Sequence, residues 1–462
     1  MKIKPIILVL IFAIGASESV RGQALEMDLE QCLEYAYEHN QTLLNAQLEI
    51  EQQNAFVGET ISEGLPQINA NLELQKNIVL LTQFLPPEFD FENEFPDDEP
   101  VPAQFGTDYI GNASVGLTQL IFKGSYFVGL KAARTYKELS TKDHIKTKID
   151  VSETVTKAYY NVLVTKELLK QLEANYNRLD TLLRETTLMY ENGFAEKIDV
   201  NRVTVEKNNL ETSLKNQKRL YVISYQLLKF QMGMPLDQEI AVKETIADLE
   251  IDYMRQLDVQ ASYSRRIEFS RLQTQQRLQE LNMKNFQVQY LPEISFFGNF
   301  GWNAGTFQFD RLMRFNGNNW FNFQNFGVRA TIPIFDGLYK SYKVQQTRIE
   351  LEQINNNITM MKNNIDLEVQ NTRTSLMNSI DNARNQEANM GLAEEVYNTT
   401  KIKYQNGVGS NLELIEADNA YVTAQANYYT ALYDAFVALV DYQKALGILL
   451  EEHNEETESI ND

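Results

Sequence analysis

The sequence predicts a mainly α-helical protein with a small membrane β part. Long coiled-coil helical hairpins are joined to four strands per chain that contribute to a shared transmembrane β-barrel, and the whole is built on an internal duplication. Three observations predict it. First, the chain repeats itself: Tyr190-Glu-Asn-Gly193 recurs as Tyr404-Gln-Asn-Gly407, Met232-Gly233 as Leu446-Gly447, and Ile121-Phe122-x-Gly124 as Ile334-Phe335-x-Gly337. Leu65-Pro66-x-Ile68 returns as Leu291-Pro292-x-Ile294 at a slightly larger offset. A period this long is a duplicated half-molecule, because solenoid units run about 20 to 50 residues. Second, no proline falls between Pro102 and Pro235 or after Pro333, and apolar residues there step by three and four. Third, four segments alternate apolar and polar residues with period two.

Taken in order, the chain opens with Lys2, Lys4 and an apolar run from Ile6 to Ala16. That is the pattern of a secretory signal peptide, too short to span a bilayer, and residues 1–22 are expected to be removed after Gly22. A retained N-terminal anchor is the alternative. The only cysteine, Cys32, lies in an apolar helical setting that suits an inert packing residue. The first structural repeat, 23–234, begins with a half-length helix over about 28–62. Two strands follow: Ile68, Ala70, Leu72 and Leu74 alternate with polar partners, as do Ala113, Val115 and Leu117. Their connecting loop carries Glu88, Asp90, Glu92, Glu94, Asp97, Asp98 and Glu99 with no basic residue. It lacks the ligand spacing and central Gly of an EF-hand, so it reads as a solvated surface loop.

The seam Leu169, Leu172, Tyr176, Leu179 and Leu183 then predicts a coiled-coil helix over about 125–192. At 1.5 Å per residue it would be on the order of 100 Å long. Gly193 ends it, and a second helix returns to Gly233. A small mixed region, 235–261, separates the halves. The second repeat, 262–450, runs through the same order: a helix over about 264–288, strands at Ile294–Trp302 and Phe326–Ile332, and a helix over about 338–406 with the seam Leu351, Ile354, Ile358, Met361 and Ile365. Gly407 stops that helix, Ser410 or Asn411 caps the next, and Gly447 closes it. Residues 451–462 form an acidic tail. Helices alone would equally suit a rod or spectrin-like spacer, and the strands alone a soluble two-hairpin sheet. The combination with a signal peptide favours membrane strands, with Tyr109, Trp302, Trp320 and Phe321 as candidates for an aromatic girdle.

Charge and strand count narrow the function. A net charge of -21 would repel phosphate backbones, which disfavours nucleic acid as a partner. No apolar run of helix-spanning length follows the signal, so any crossing of a bilayer must use strands. The smallest membrane barrels have about eight strands and lipid does not tolerate open edges, so four strands require a barrel shared between copies. His39, His144 and His453 are scattered and no nucleophile motif appears, which argues against an enzyme, a cofactor or a metal site.

Together these features resemble the TolC-type outer-membrane efflux channels over nearly all of the mature chain. The best local carriers are Leu65-Pro66-Gln-Ile68, Ile334-Phe335-Asp-Gly337 and the tip segments through Ala420. The resemblance implies a homotrimer in the cell outer membrane. A twelve-stranded β-barrel would stand on a long periplasmic α-barrel, docked to a periplasmic adaptor protein and an inner-membrane transporter. It also implies gate residues. Glu413 and Glu416 stand where the family has two carboxylates one turn apart, and spacing i, i+3 puts both on one helix face. Tyr404 and Asp199 match positions that bond across the closed entrance, and a hydroxyl-to-carboxylate bond between them is expected. Gly193, Gly407 and Gly409 fall in the tip turns that would meet the partner. Gly409 replaces a family arginine. The leading function is an exit duct for small molecules in a tripartite efflux pump. The alternatives are the duct of a type I protein-secretion system and a structural surface protein with a coiled-coil stalk.

Overall fold

The computed structural model describes residues 25–89, 95–96, 98–246, 262–314 and 319–450. The signal segment, part of the acidic loop, most of the small region between the halves, His453 and the acidic tail lie outside them. The chain divides into two compact units. One gathers residues up to Leu44, Thr147–Arg265 and Asp366 onward; the other gathers Asn45–Lys146 and Arg266–Ile365. Two of the four boundaries fall inside the two longest helices; the others fall after Leu44 and just before Ile267.

The second unit holds the sheet. Strands β2 (Gln67–Lys76), β5 (Tyr109–Phe122), β7 (Glu293–Thr306) and β8 (Trp320–Thr331) form one antiparallel sheet in the order β2-β5-β7-β8. The two halves of the duplication therefore join edge to edge, β5 to β7, with Ala113 opposite Trp302 and Val115 opposite Phe300. The outer edges of β2 and β8 pair with nothing among the described residues. The faces separate as the alternation predicts. One carries Ile68, Leu72, Val115, Phe300, Phe326 and Val328; the other carries cross-strand asparagine pairs, Asn112 to Asn303 at 3.0 Å and Asn299 to Asn325 at 2.9 Å.

The apolar face is bare. Ile68 is 70% exposed and Phe326 83%. A soluble sheet would bury that face, whereas a lipid-facing one leaves it uncovered by protein. Two girdle expectations need correction. Trp320 is buried, donating its indole N–H to the Leu312 carbonyl at 3.1 Å and packing against Ala304. Phe321 sits opposite Asn303, on the asparagine face and away from Trp302. A short hairpin, β3 (Thr82–Leu85) with β4 (Val101–Gln104), also rises from the first loop, where no strand is expected from the sequence.

The helices follow their predicted bounds closely. α3 (Gly124–Glu191) has 68 residues and α7 (Tyr339–Gln405) has 67; their return partners are α4 (Lys197–Met232) and α8 (Asn411–Leu446). The first half-length helix differs from expectation. It divides at Asn40 into α1 (Leu29–His39) and α2 (Gln41–Ser62), while its counterpart α5 (Ile267–Val288) is continuous. The break has a local cause. The Asn40 side chain accepts from the Thr42 and Leu43 amides, capping a new helix, and donates to the Gln231 carbonyl at 2.8 Å. β1 (Leu25–Met27) pairs in parallel with β6 (Ile240–Val242), which lies in the region between the halves. Beneath them Cys32, Ala36, Tyr159, Val162, Leu228 and Met232 form the main core cluster. Burial pushes the Cys32 thiol up to about 12, which keeps it unreactive.

Candidate gate and docking tips

All four hairpin helices end the same way. At the tip of the first hairpin the Gly193 amide donates to the Tyr190 carbonyl and the Phe194 amide to Met189. At the second, Gly407 donates to Tyr404 and Val408 to Lys403. Gly233 with Met234, and Gly447 with Ile448, repeat the pattern at the other ends of the hairpins. These are Schellman closures, and each glycine sits at a φ of 74° to 76° that disfavours a Cβ. The duplication is thus conformational as well as sequential. At the tips the glycines are open to solvent, and the residue after each is apolar and uncovered: Phe194 is 84% exposed and Val408 78%. Gly409 has no positive φ but lies against the chain; a Cβ there would come 3.1 Å from that of Lys403.

The second tip leads straight into α8 through a capping box. The Glu413 amide donates to Ser410 Oγ at 3.2 Å, and the Ser410 amide donates to Glu413 Oε2 at 3.4 Å. Glu413 and Glu416 are both exposed and share one face of α8, opposite buried Leu414, Ile415, Ala417 and Asp418. The start of α4 mirrors this: the Glu196 amide donates to Asp199 Oδ2 at 3.3 Å, and Arg202 stands 3.6 Å from Asp199 Oδ1.

Tyr404 and Asp199 do not meet within the chain. The Tyr404 hydroxyl lies 3.4 Å from that of Thr186, on α3, and 3.7 Å from the Met189 sulfur. The Asp199 carboxylate is occupied by its own cap. Asp199 still belongs to the junction, because its backbone carbonyl accepts from Asn411 Nδ2 at 3.1 Å. That bond fastens the start of α4 to the start of α8.

A deeper joint ties the two hairpins together. Arg178 of α3 donates to Asp418 of α8 at 2.8 Å, and its guanidinium lies over the rings of Tyr397 and Tyr421 at 4.8 and 5.2 Å. Asn175 bonds Gln425 at 3.0 Å one turn further on. A cavity of about 320 Å³ opens beside the joint, lined by Arg178, Glu185, Tyr397, Lys401, Tyr404 and Asp418. Burial pushes the Asp418 carboxyl above its usual range; Arg178 pulls it down, and burial wins. Arg178, Asp418, Phe194 and Val408 were not singled out from the sequence, and Asn411, a cap candidate there, leaves the cap to Ser410 and bonds Asp199 instead. The i, i+3 spacing of Glu413 and Glu416 is visible in one dimension, whereas the Arg178–Asp418 pairing needs the register of two helices far apart in the chain. Among the described residues no group of His, Cys, Asp and Glu could hold a metal ion.

An open antiparallel sheet with a bare apolar face, joined to two duplicated helical hairpins, suits one subunit of a shared membrane β-barrel. Comparison with known proteins agrees. Residues 259–448 match the family model for "Outer membrane efflux protein". Outer membrane protein TolC of Vibrio cholerae serotype O1 is 18% identical over 343 residues, covering 74% of this chain and 77% of that protein. The crystal structure of VceC from Vibrio cholerae superposes with a TM-score of 0.68 at 14% identity, covering 91% of this chain and 96% of VceC. The CmeC outer-membrane channel of Campylobacter jejuni gives 0.71 at 16% identity, covering 93% of this chain and 88% of CmeC. The family model thus matches much of the second half of the chain, and the superpositions show that the chain shares the fold of these outer-membrane channels.

Proposed function

We propose that the chain is the outer-membrane exit duct of a tripartite efflux pump, passing small molecules from the cell to the exterior through a passive tunnel. The observation that carries this reading is the sheet: an apolar face without cover and two unpaired edges, attached to helices far longer than a globule needs. Lipid satisfies the face, and only further copies of the same sheet satisfy the edges. Because β2 and β8 run in opposite directions, β8 of one copy pairs antiparallel with β2 of the next, and the ring closes without a mismatched edge. Three copies give twelve strands. The exposed Phe194 and Val408 at the tips are the apolar anchors for a periplasmic adaptor, which would in turn hold an inner-membrane transporter. Glu413 and Glu416 form stacked carboxylate rings at the narrow end, and Tyr404 and Asp199 contribute to closure between copies.

The test is deletion of the gene with measurement of dye and drug accumulation, together with conductance of the purified protein in planar bilayers. Accumulation on deletion, restored by the intact gene, and discrete ion conductance are expected. Loss of a secreted protein from the medium with unchanged accumulation would instead indicate a type I secretion duct. Absence of conductance from a correctly assembled oligomer would leave only a structural stalk.

A further inference from the structure

Strand register fixes which side chains share a face of the sheet. Tyr109, Gly111 and Ala113 of β5, Trp302 and Ala304 of β7 and Trp320 of β8 lie on the face of Val115 and Phe300, opposite the asparagine pairs. On this face the β7–β8 loop turns back. Its short helix α6 (Phe309–Leu312) packs across β7 and β5 instead of standing clear of the strand ends. Leu312 is the peg: it is buried in a cluster with Ala304 and Trp320, and Tyr109 and Ala113 pack against it. Gly111 is the notch. A Cβ there would come 2.7 Å from the Trp320 ring and 2.9 Å from a Leu312 methyl, so the seat exists because the residue is glycine. The indole bond from Trp320 to the Leu312 carbonyl fastens the turn in place.

The seated turn presents apolar side chains outward. Phe307 is exposed, Phe309 and Met313 are each 53% exposed, and the Phe309 ring leans on Tyr109 with centroids 5.6 Å apart. Asp310 and Arg314 of the same turn pair with each other at 3.3 Å. The position of the turn selects its cover. Its apolar surface continues the bare face directly, since exposed Phe300 and Trp302 lead along β7 to Ala304 beneath the helix. α6 lies over the two inner strands, away from the open β8 edge where another copy would join. Glu293 pairs with Lys123 at 3.3 Å at the end of the sheet where α3 begins. From there to Ala304 is about ten residues, the length of one strand crossing. The turn therefore sits at the far boundary of the apolar band, where membrane barrels carry an aromatic girdle.

We propose that α6 is an anchor in the outer leaflet: a loop folded over the outside of the barrel, with Phe307, Phe309 and Met313 set among the upper acyl chains. Its partner is lipid hydrocarbon. Trp320, which alternation marks for that girdle, instead holds the anchor from beneath. The anchor rests on the membrane barrel of the proposed function.

The experiment uses the full-length protein with one added cysteine, labelled with a small fluorophore and reconstituted in phosphatidylcholine vesicles. The lipid chains carry nitroxide either near the headgroup or near the chain end. The native Cys32 is buried, and protein without an added cysteine gives the blank. Leu72→Cys on the bare face and Asn303→Cys on the asparagine face calibrate lipid and water. Labels at Phe309→Cys and Met313→Cys should be quenched more by the shallow nitroxide than by the deep one, and little by aqueous iodide. Quenching by iodide alone puts the turn in water, and protection from both quenchers puts it under protein. Either result overturns the anchor, while nitroxide quenching at position 72 leaves the barrel standing. No nitroxide quenching at position 72 brings down the barrel and the anchor together. Adding Leu312→Ser to Phe309→Cys removes the peg, so the label should lose nitroxide quenching and gain iodide quenching. Unchanged quenching in that variant overturns the seat.

Discussion

At the scale of single residues, the tips mix what one dimension reveals with what it hides. Glu413 and Glu416 are legible because the family resemblance marks their positions and helix periodicity puts both on one face, where the structure keeps them exposed. Replacing both by Gln keeps size and helical preference while removing charge. Single-channel recording of that variant should give weaker cation preference and weaker block by trivalent cations, because a ring of carboxylates concentrates negative potential in a narrow pore. Unchanged selectivity would make them surface glutamates. The Arg178–Asp418 joint was invisible in the sequence, since its partners come from separate hairpins. It also makes an asymmetric prediction. Asp418 is almost fully buried, whereas the Arg178 side chain keeps 27% exposure. Arg178→Met strands a buried carboxylate and should cost up to about 3–5 kcal/mol at neutral pH, the range for breaking a buried pair. Asp418→Asn leaves a guanidinium that water still reaches, and should cost under about 1 kcal/mol. The pH dependence has a fixed sign. A carboxyl raised by folding holds its proton more tightly in the native state, so its contribution declines as pH rises from the usual carboxylate range through the folded value. Melting curves across that range should show Asp418→Asn gaining on the wild type as pH rises.

At the scale of elements, the helix stops were the best-predicted features, because a C-terminal glycine and an N-cap are local chemistry. Gly193, Gly233, Gly407 and Gly447 all adopt the left-handed geometry their positions suggest. The duplicated Ile-Phe-x-Gly segments were a less faithful guide. Gly124 begins α3 directly, while Gly337 and Leu338 both take positive φ before α7 begins. The break at Asn40 had a local signature, an asparagine N-cap, that was not singled out, whereas the β3–β4 hairpin left none. The four closing glycines also separate backbone strain from packing. A Cβ at Gly407 meets no atom within 4 Å, so the left-handed backbone penalty, about 1–2 kcal/mol, is the main cost of Gly407→Val. Assembly should survive and drug export should drop if the proposed adaptor docks at the tip; undiminished export would remove the tip from docking. Gly447→Ala carries the same penalty plus a Cβ 2.6 Å from the Arg265 carbonyl, so its melting temperature should fall further than that of Gly407→Ala.

At the scale of the whole molecule, the fold class was readable because three independent periodicities agreed: the long repeat, the helical seam and the strand alternation. What the sequence left open was how the halves join, and the β5–β7 pairing answers it. The assembled state should be a trimer in detergent by native mass spectrometry; a stable monomer with its sheet intact would contradict the shared barrel. The unpaired edges have a genetic consequence as well. A subunit whose β8 edge is blocked, for instance by Gln324→Pro, folds its own helices but spoils every ring it enters, because proline removes a ladder donor. Co-expressed with the wild type, such a subunit should be dominant. The activity that remains should fall as the wild-type fraction raised to the number of copies in the ring, so the exponent of a titration by inducible expression counts the subunits in living cells.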